Sequence, residues 1–195
     1  EIPPGVGVPL RPDGKVALGT HSLNAVYAQL EAVQQAGLAR AIGVSNFNAA
    51  QVDSILTQAT IPPAVNQVEA HVYLSQKRLQ QFCSARGIAL TAYCPLGAGG
   101  GQACFNPLED PVVQAVANNY GKTAAQICIR YLLQRGIAAI PKSVRRERLE
   151  SNFNVFDFEI TTEDMSRLES LDRGSRVIVW DYYGTKESPN YPFHA

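Results

Sequence analysis

The sequence has no excess of charge of either sign and few residues of the types that build metal or disulfide sites. Its 195 residues include 17 Lys+Arg, 17 Asp+Glu, 3 His and 4 Cys. Without net charge the chain has no overall electrostatic attraction for nucleic acid or for an anionic membrane, so an anion site has to be built from local residues. No apolar run approaches the roughly 20 residues that span a bilayer. We therefore predict a cytoplasmic protein with no metal site, and with neither nucleic acid nor membrane among its partners.

The cysteines and the start of the chain show two further absences. The cysteines form no C-x-x-C pair and are too sparse for a disulfide scaffold, so reduced thiols that serve packing are expected at Cys83, Cys94, Cys104 and Cys128. Glu1 is not preceded by an initiator methionine, and residues 1–12 (EIPPGVGVPLRP) are rich in Pro and Gly, which excludes a regular element. We expect residues 1–21 to be a loop entering the domain, and residue 1 not to be the first residue of the fold.

Helical and extended patterns alternate along the rest of the chain. Helix starts are predicted by a serine cap at Ser22, by capping boxes in which Asn48 and Thr123 are each followed three residues on by Gln, and by Asp110-Pro111. Further helices are expected from Ser75, over 145–152 and over 162–171. The first helix would turn five apolar residues inward: Leu23, Val26, Tyr27, Leu30 and Val33. Short apolar runs predict strands at 39–44, 64–68, 88–93 and 137–141.

The strands recur with a regular period. Ala41, Val65 and Ala89 are each 24 positions apart, and Ala139 lies 50 positions beyond the third. Strands buried on both faces and alternating with helices indicate an α/β protein with a parallel sheet, either doubly wound or closed into a barrel. No G-x-G-x-x-G follows any strand, which favours the barrel. Four strands are half of the eight that close such a barrel.

Polar or aromatic residues stand at the predicted carboxyl ends of the strands, where a barrel carries its working residues. These ends are Ser45-Asn46, Gln67, Tyr93 and Lys142-Ser143. Two local alternatives stay open. Ser45 and Asn46 could simply cap the following turn, and Tyr93 could be a core aromatic with a satisfied hydroxyl.

Five segments resemble consecutive blocks of the aldo-keto reductase family. They are GLARAIGVSNFN (37–48), VNQVEAH (65–71), ALTAYCPLG (89–97), IPKS (140–143) and NYPF (190–193). The resemblance runs in order over almost the whole chain from about Ser22. It implies the C-terminal half of a TIM-type (β/α)8 barrel, with about four parallel strands and flanking helices. The partial barrel would cover 22–172, and 173–195 would be a C-terminal tail at the substrate pocket.

The resemblance also implies an NADP(H) site. By position, Ser45, Asn46 and Gln67 match the residues that bind the nicotinamide carboxamide, and Tyr93 matches the aromatic on which the nicotinamide ring stacks. The residues matching the loop over the pyrophosphate are Cys94, Leu96 and Ala98. The residues matching the site of the 2′-phosphate and adenine are Lys142, Ser143, Arg148 and Asn152. Taken alone, the KSVRRER run that contains several of these could instead be a solvated basic helix face.

The resemblance assigns no catalytic residue in this chain. The family's proton-donating tyrosine and its lysine, aspartate and histidine partners lie upstream of the matched region, and neither His21 nor His71 is given a catalytic role. The tail positions that match substrate contacts are Trp180, Tyr182 and Tyr183, with packing against the barrel rim as the alternative. The expected activity is NADPH-dependent reduction of a small-molecule aldehyde or ketone, with this chain supplying the cofactor-binding half and a missing N-terminal half as its partner. The alternative is a non-catalytic nucleotide-binding or structural relative.

Overall fold

The structure, a computed structural model, describes residues 10–19, 21–97, 105–179 and 184–193. The chain divides into two compact units. The helical unit comprises Glu1–Ile42, Phe47–Pro62 and Ile178–Ala195, and the sheet unit comprises Gly43–Asn46 and Pro63–Val177. In the described residues there is no helix of the length and apolar character that a membrane span requires.

The sheet unit contains four parallel strands. They are β1 (Val44–Ser45), β2 (Val65–Glu69), β3 (Ala89–Tyr93) and β4 (Ala138–Ala139), in the spatial order β1-β2-β3-β4. In register, Ser45 lies opposite Gln67, and Glu69 lies opposite Tyr93. Because neighbouring parallel strands end at one edge of the sheet, the polar residues that end β1, β2 and β3 come together there.

The outer strands β1 and β4 are shorter than predicted. β1 overlaps the expected range 39–44 only at Val44 and extends to Ser45, and β4 occupies two residues of the expected range 137–141. Within the described part of the chain, β1 and β4 are the end strands of the sheet, and each has a neighbour on one side only. Each can therefore form backbone hydrogen bonds with that one neighbour alone. Just before β1, the backbone at Gly43 approaches β2 so closely that an added Cβ would lie 2.6 Å from the carbonyl oxygen of Val65.

In the sheet unit, one α-helix follows β2, two follow β3 and two follow β4. They are α3 (Lys77–Ser84), α4 (Pro111–Tyr120), α5 (Ala124–Gln134), α6 (Arg146–Phe153) and α7 (Thr162–Glu169), with a 3-10 helix over Pro107–Glu109. The Asp110 cap of α4 and the Thr123–Gln126 capping box of α5 form as predicted. The predicted start of α3 at Ser75 is wrong, because the Ser75 hydroxyl bonds to Asp172 instead of capping the helix, and Gln76 adopts a left-handed conformation.

The two faces of the sheet differ in burial. Alternate positions of β2 and β3 are at most 3% exposed: Asn66, Val68, Leu90 and Ala92. On the opposite face Gln67 and Thr91 pair across the strands and are only half-buried. The expectation of strands buried on both faces is therefore wrong for the described residues. Among the helices, α3 contacts β3 and α5 contacts β4.

The helical unit is built on α1 (Leu23–Gln35) and α2 (Ala49–Leu56), with a 3-10 helix over Thr185–Glu187. Ser22 caps α1 through its side chain, as predicted. Tyr27 is the buried anchor of α1, and its hydroxyl donates to the carbonyl of Ile61 at 2.9 Å. The inward placement predicted for Val26 and Val33 is wrong, since they are 53% and 39% exposed. Helical spacing identifies an apolar stripe, but it does not determine how much of that stripe a neighbouring element buries.

Candidate functional site

The residues predicted to hold the nicotinamide end of a cofactor form one hydrogen-bonded cluster at the carboxyl ends of β1, β2 and β3. The Ser45 hydroxyl donates to the Gln67 carbonyl at 3.0 Å, and the Asn46 backbone N–H donates to the same oxygen at 2.9 Å. The Tyr93 hydroxyl donates to Asn46 Oδ1 at 2.9 Å, and Asn46 Nδ2 donates to Ser45 Oγ at 3.3 Å. Three adjacent strands thus hold four polar or aromatic side chains at one edge of the sheet.

Backbone conformation explains why the chain turns sharply at this edge. Asn46 has φ 60 and Cys94 has φ 48, both in the left-handed region. Asparagine tolerates that region better than most residues, because its short amide can bond locally. Each of the two residues directly follows the last residue of a strand, Ser45 or Tyr93. The left-handed turns therefore end β1 and β3 where the candidate cofactor residues stand.

A cleft of about 720 Å³ opens in the sheet unit beginning at Cys94, the residue after Tyr93. That volume is within the usual range of small-molecule sites. The predicted residues among those lining it are Cys94, Leu96, Lys142, Ser143, Arg148 and Asn152. The structure thus brings the predicted pyrophosphate residues together with those predicted for the 2′-phosphate and adenine, although they are separated by almost 50 positions in the chain.

The cleft carries a concentration of positive charge. Lys142, Arg145 and Arg148 line it, and none of the three forms an ion pair within the described part of the chain. Arg146, by contrast, pairs with Glu150 at 2.8 Å one turn along α6. All four cations are exposed, and they differ in that Arg146 pairs within its own helix while Lys142, Arg145 and Arg148 line the cleft. Whether the run binds a cofactor phosphate or is a solvated basic face stays a prediction.

The N-terminus of α6 adds a second attraction for an anion. Its N-cap is Arg145, which provides no side-chain acceptor to the first turn. The Ser143 hydroxyl instead accepts the Arg145 backbone N–H at 3.2 Å. Uncapped N–H groups at a helix start bear partial positive charge and commonly bind phosphate. Arg145 was not among the residues predicted to bind the cofactor; its place in the KSVRRER run was the only sequence signal for it.

A buried polar network lies beside the sheet edge. Glu69 and His71 are both fully buried, with His71 Nε2 at 2.9 Å from Glu69 Oε1. The Tyr73 backbone N–H donates to His71 Nδ1, which assigns the ring proton to Nε2 and makes His71 a donor to Glu69. The Val177 N–H also donates to Glu69, at 2.7 Å. The Glu69 carboxylate thus accepts hydrogen bonds from His71 and from the Val177 N–H, and His71 has a structural role.

Tyr73, whose ring lies edge-on to His71, is poorly suited to donate a proton. The Tyr73 hydroxyl donates to Asp110 Oδ2 at 2.6 Å. Burial, together with this hydrogen bond, raises the pKa of Tyr73 to about 12. A general acid works best with a pKa near the operating pH.

The described cysteines are all free thiols. Burial raises the pKa of Cys83, Cys94 and Cys128, which keeps the thiols protonated at neutral pH. Cys83 and Cys128 are buried, as expected of packing residues, whereas Cys94 is half-buried and lines the cleft. Cys104 lies outside the described residues, as do four candidate site residues: Ala98, Trp180, Tyr182 and Tyr183. The roles given to those four stay predictions.

The sequence profile of the aldo/keto reductase family matches residues 11–173. The chain belongs to this family. Aldo-keto reductase family 1 member A1-A of Danio rerio is 43% identical over 178 residues, which cover 88% of this chain and 54% of that protein. Aldo-keto reductase family 1 member C4 of Homo sapiens is 40% identical over 193 residues, which cover 95% and 59%. The chain thus spans somewhat more than half the length of these relatives.

A solved aldo-keto reductase shares the fold. The aldose reductase from Schistosoma japonicum superposes with a TM-score of 0.88 at 34% identity, over 95% of this chain and 58% of that structure. The predicted fold class, an α/β half of a TIM-type barrel with four parallel strands and flanking helices, is confirmed. In barrels of this type the carboxyl ends of the strands carry the site. Ser45 and Tyr93 end β1 and β3 and Asn46 directly follows β1, while Gln67 lies in the middle of β2 opposite Ser45.

Proposed function

We propose that this chain supplies the NADP(H)-binding part of an aldo-keto reductase that reduces aldehydes or ketones to alcohols. One observation carries the proposal: the residues matched to the cofactor's phosphates line a single cationic cleft that starts where the nicotinamide cluster ends. Lys142 and Arg148 would pair with the 2′-phosphate, Ser143 and Asn152 would bond nearby, and Cys94 and Leu96 would border the pyrophosphate. Arg148 offers a planar fork of donors and Lys142 a compact charge.

At the other end, the strand-end cluster would position the nicotinamide. An amide ligand needs both donors and acceptors, and Ser45, Asn46 and Gln67 present both kinds of group. Tyr93 presents a ring for stacking, and its hydroxyl is held on Asn46. The bound cofactor would supply a hydride. These residues would fix the ring carboxamide and one face of the ring, so that the other face meets the substrate carbonyl.

The proton needed at the carbonyl oxygen would come from another part of the fold. Tyr73 is poorly suited to supply it, because its hydroxyl is committed to Asp110 and its pKa is raised to about 12. We propose that the segment of an aldo-keto reductase barrel outside these 195 residues provides the acid. Trp180, Tyr182 and Tyr183 would contact the small-molecule carbonyl substrate from the tail. The unpaired thiols suit a cytoplasmic location.

The test compares cofactor affinities in the full-length protein. We expect Arg148→Ala to weaken NADPH about tenfold or more, because a charged hydrogen bond contributes roughly 1.5–3 kcal/mol. NADH lacks the 2′-phosphate, so its affinity should stay nearly constant. Fluorescence titration of both cofactors gives the two dissociation constants.

Arg146→Ala is the matched control, since Arg146 lies on the same helix but pairs with Glu150. It removes the same charge from the field around α6 and should leave NADPH affinity within about twofold, as surface pairs contribute little. Equal NADPH affinity in wild type and Arg148→Ala would overturn the assignment. Equal losses of NADPH affinity in Arg148→Ala and Arg146→Ala would show that Arg148 contributes only through the general positive charge of this region.

A further inference from the structure

The capping box of α2 performs two tasks at once. Its acceptors close the box: the Gln51 N–H donates to Asn48 Oδ1 at 2.9 Å, and the Asn48 N–H donates to Gln51 Oε1 at 3.1 Å. Its amide nitrogens bond elsewhere. Asn48 Nδ2 donates to the Pro192 carbonyl at 3.2 Å, and Gln51 Nε2 donates to the Asn190 carbonyl at 2.9 Å.

Hydrogen bonding by the side-chain NH2 groups explains why this capping box uses Asn and Gln. Most capping boxes use Ser or Thr with Glu, which provide the capping acceptors but leave no spare N–H donor. An Asn-x-x-Gln box has an NH2 group on each side chain after both caps are made. Here both NH2 groups bond to carbonyls near the end of the chain, more than 130 positions away.

The α5 box in the sheet unit works in the same way with one amide. Gln126 closes the box on Thr123, and its Nε2 donates to the Asn154 carbonyl at 2.8 Å. In both boxes the Gln at the third helical position ties a later segment to a helix start. The α5 box therefore provides an internal comparison for the α2 box.

The end of the chain is also held at other points within the helical unit. Tyr191 is 6% exposed, and its hydroxyl bonds to the Val179 carbonyl. Glu187 forms an ion pair with Lys15, and Arg11 lies 3.9 Å from the same carboxylate. These charged groups are largely exposed, so they hold the tail weakly. The Asn48 bond is part-buried and the Gln51 bond is exposed, and together they tie two carbonyls of the tail to the start of α2.

We propose that Asn48 and Gln51 are positioning residues that anchor the C-terminal tail and thereby set how it meets the substrate. The proposal rests on the proposed function, in which the tail carries the substrate contacts. Neither residue would touch cofactor or substrate. Their amides fix the backbone at Asn190 and Pro192, which limits where the preceding tail residues can lie.

Gln51→Glu and Asn48→Asp separate the two tasks. Each variant keeps its capping acceptor and removes its NH2 donor, placing a carboxylate oxygen against a carbonyl oxygen. Hydrogen–deuterium exchange in the full-length protein should rise over 184–193, about fivefold for each bond lost, while peptides of α2 keep their protection. Gln126→Glu should leave exchange over 184–193 unchanged.

The functional measurement is KM and kcat for a small and a bulky aldehyde. We expect both α2 variants to change the ratio of the two KM values at least threefold, with NADPH affinity constant. Unchanged exchange over 184–193 in Gln51→Glu would overturn the anchor. Faster exchange with an unaltered KM ratio would overturn the positioning role. A wild-type protein without reductase activity would refute the proposed function, and the exchange result would still decide whether the anchor exists.

Discussion

At the scale of single residues, the hydroxyl and the ring of Tyr93 have different surroundings. Its hydroxyl donates to Asn46, while its ring is half-buried at the end of β3. The open alternatives of core aromatic and stacking platform make different predictions. A platform touches the nicotinamide end of the cofactor only, whereas a core aromatic stabilises the whole unit.

We expect Tyr93→Ala to weaken NADPH by about tenfold while leaving 2′-phospho-AMP within about twofold, since ring stacking contributes on the order of 1–2 kcal/mol at one end of the ligand. Isothermal titration of both ligands gives the comparison. Tyr93→Phe is the matched control, because it keeps the ring and loses only the bond to Asn46. Parallel losses for both ligands in Tyr93→Ala would support the core aromatic instead.

At the scale of elements, the approach of β1 to β2 depends on Gly43. An added methyl group there would lie 2.5 Å from Val65 Cγ1 and 2.6 Å from the Val65 carbonyl oxygen. The side-chain carbon could rotate away, but the carbonyl belongs to the paired backbone of β2 and cannot. The short β1 places Ser45 and Asn46, so strain at Gly43 reaches the candidate site.

We expect Gly43→Ala to lower the free energy of unfolding by about 1–3 kcal/mol, the usual cost of overpacking, and to weaken NADPH binding. Urea unfolding and cofactor titration measure the two effects. Gly19→Ala is the control, because nothing lies within 4 Å of the added carbon and the glycine has no positive φ. A fully stable Gly43→Ala protein would show that β1 can move away from β2 without loss.

At the scale of the whole molecule, the described residues include end strands with one neighbour and exposed apolar side chains. β1 and β4 each have one neighbour in the described sheet, and the face with Gln67 and Thr91 is only half-buried. Large apolar side chains near β4 and α6 are 47% to 82% exposed: Ile140, Val144, Leu149, Phe153 and Phe156. Apolar groups clustered in this way favour association.

We expect the chain expressed alone to self-associate and to reduce no carbonyl, since a positioned acid contributes roughly a hundredfold to ten-thousandfold to such a step and none is assigned here. Sedimentation velocity and a steady-state assay with NADPH and 4-nitrobenzaldehyde test both expectations. Substantial turnover by a monodisperse species of 21.1 kDa would contradict them. It would require an acid among the chain's own tyrosines.

The sequence by itself determined four helix starts and the family. The caps at Ser22, Asn48, Asp110 and Thr123 were all predictable, because a cap is made by residues two or three positions apart. The strand-end positions of the candidate site could also be predicted, since a period of helices and strands places strand ends at one edge of a sheet.

Tertiary structure alone decided the rest. Ser75 bonds to Asp172 rather than capping α3, and Arg148 lines one cleft with the distant Cys94 and Leu96. The α2 capping box could be predicted from its spacing, but the second task of its amides could not, because its partners are the distant carbonyls of Asn190 and Pro192. Local rules determine which groups a helix end needs. Which spare donors and charges find partners depends on segments that only folding brings near.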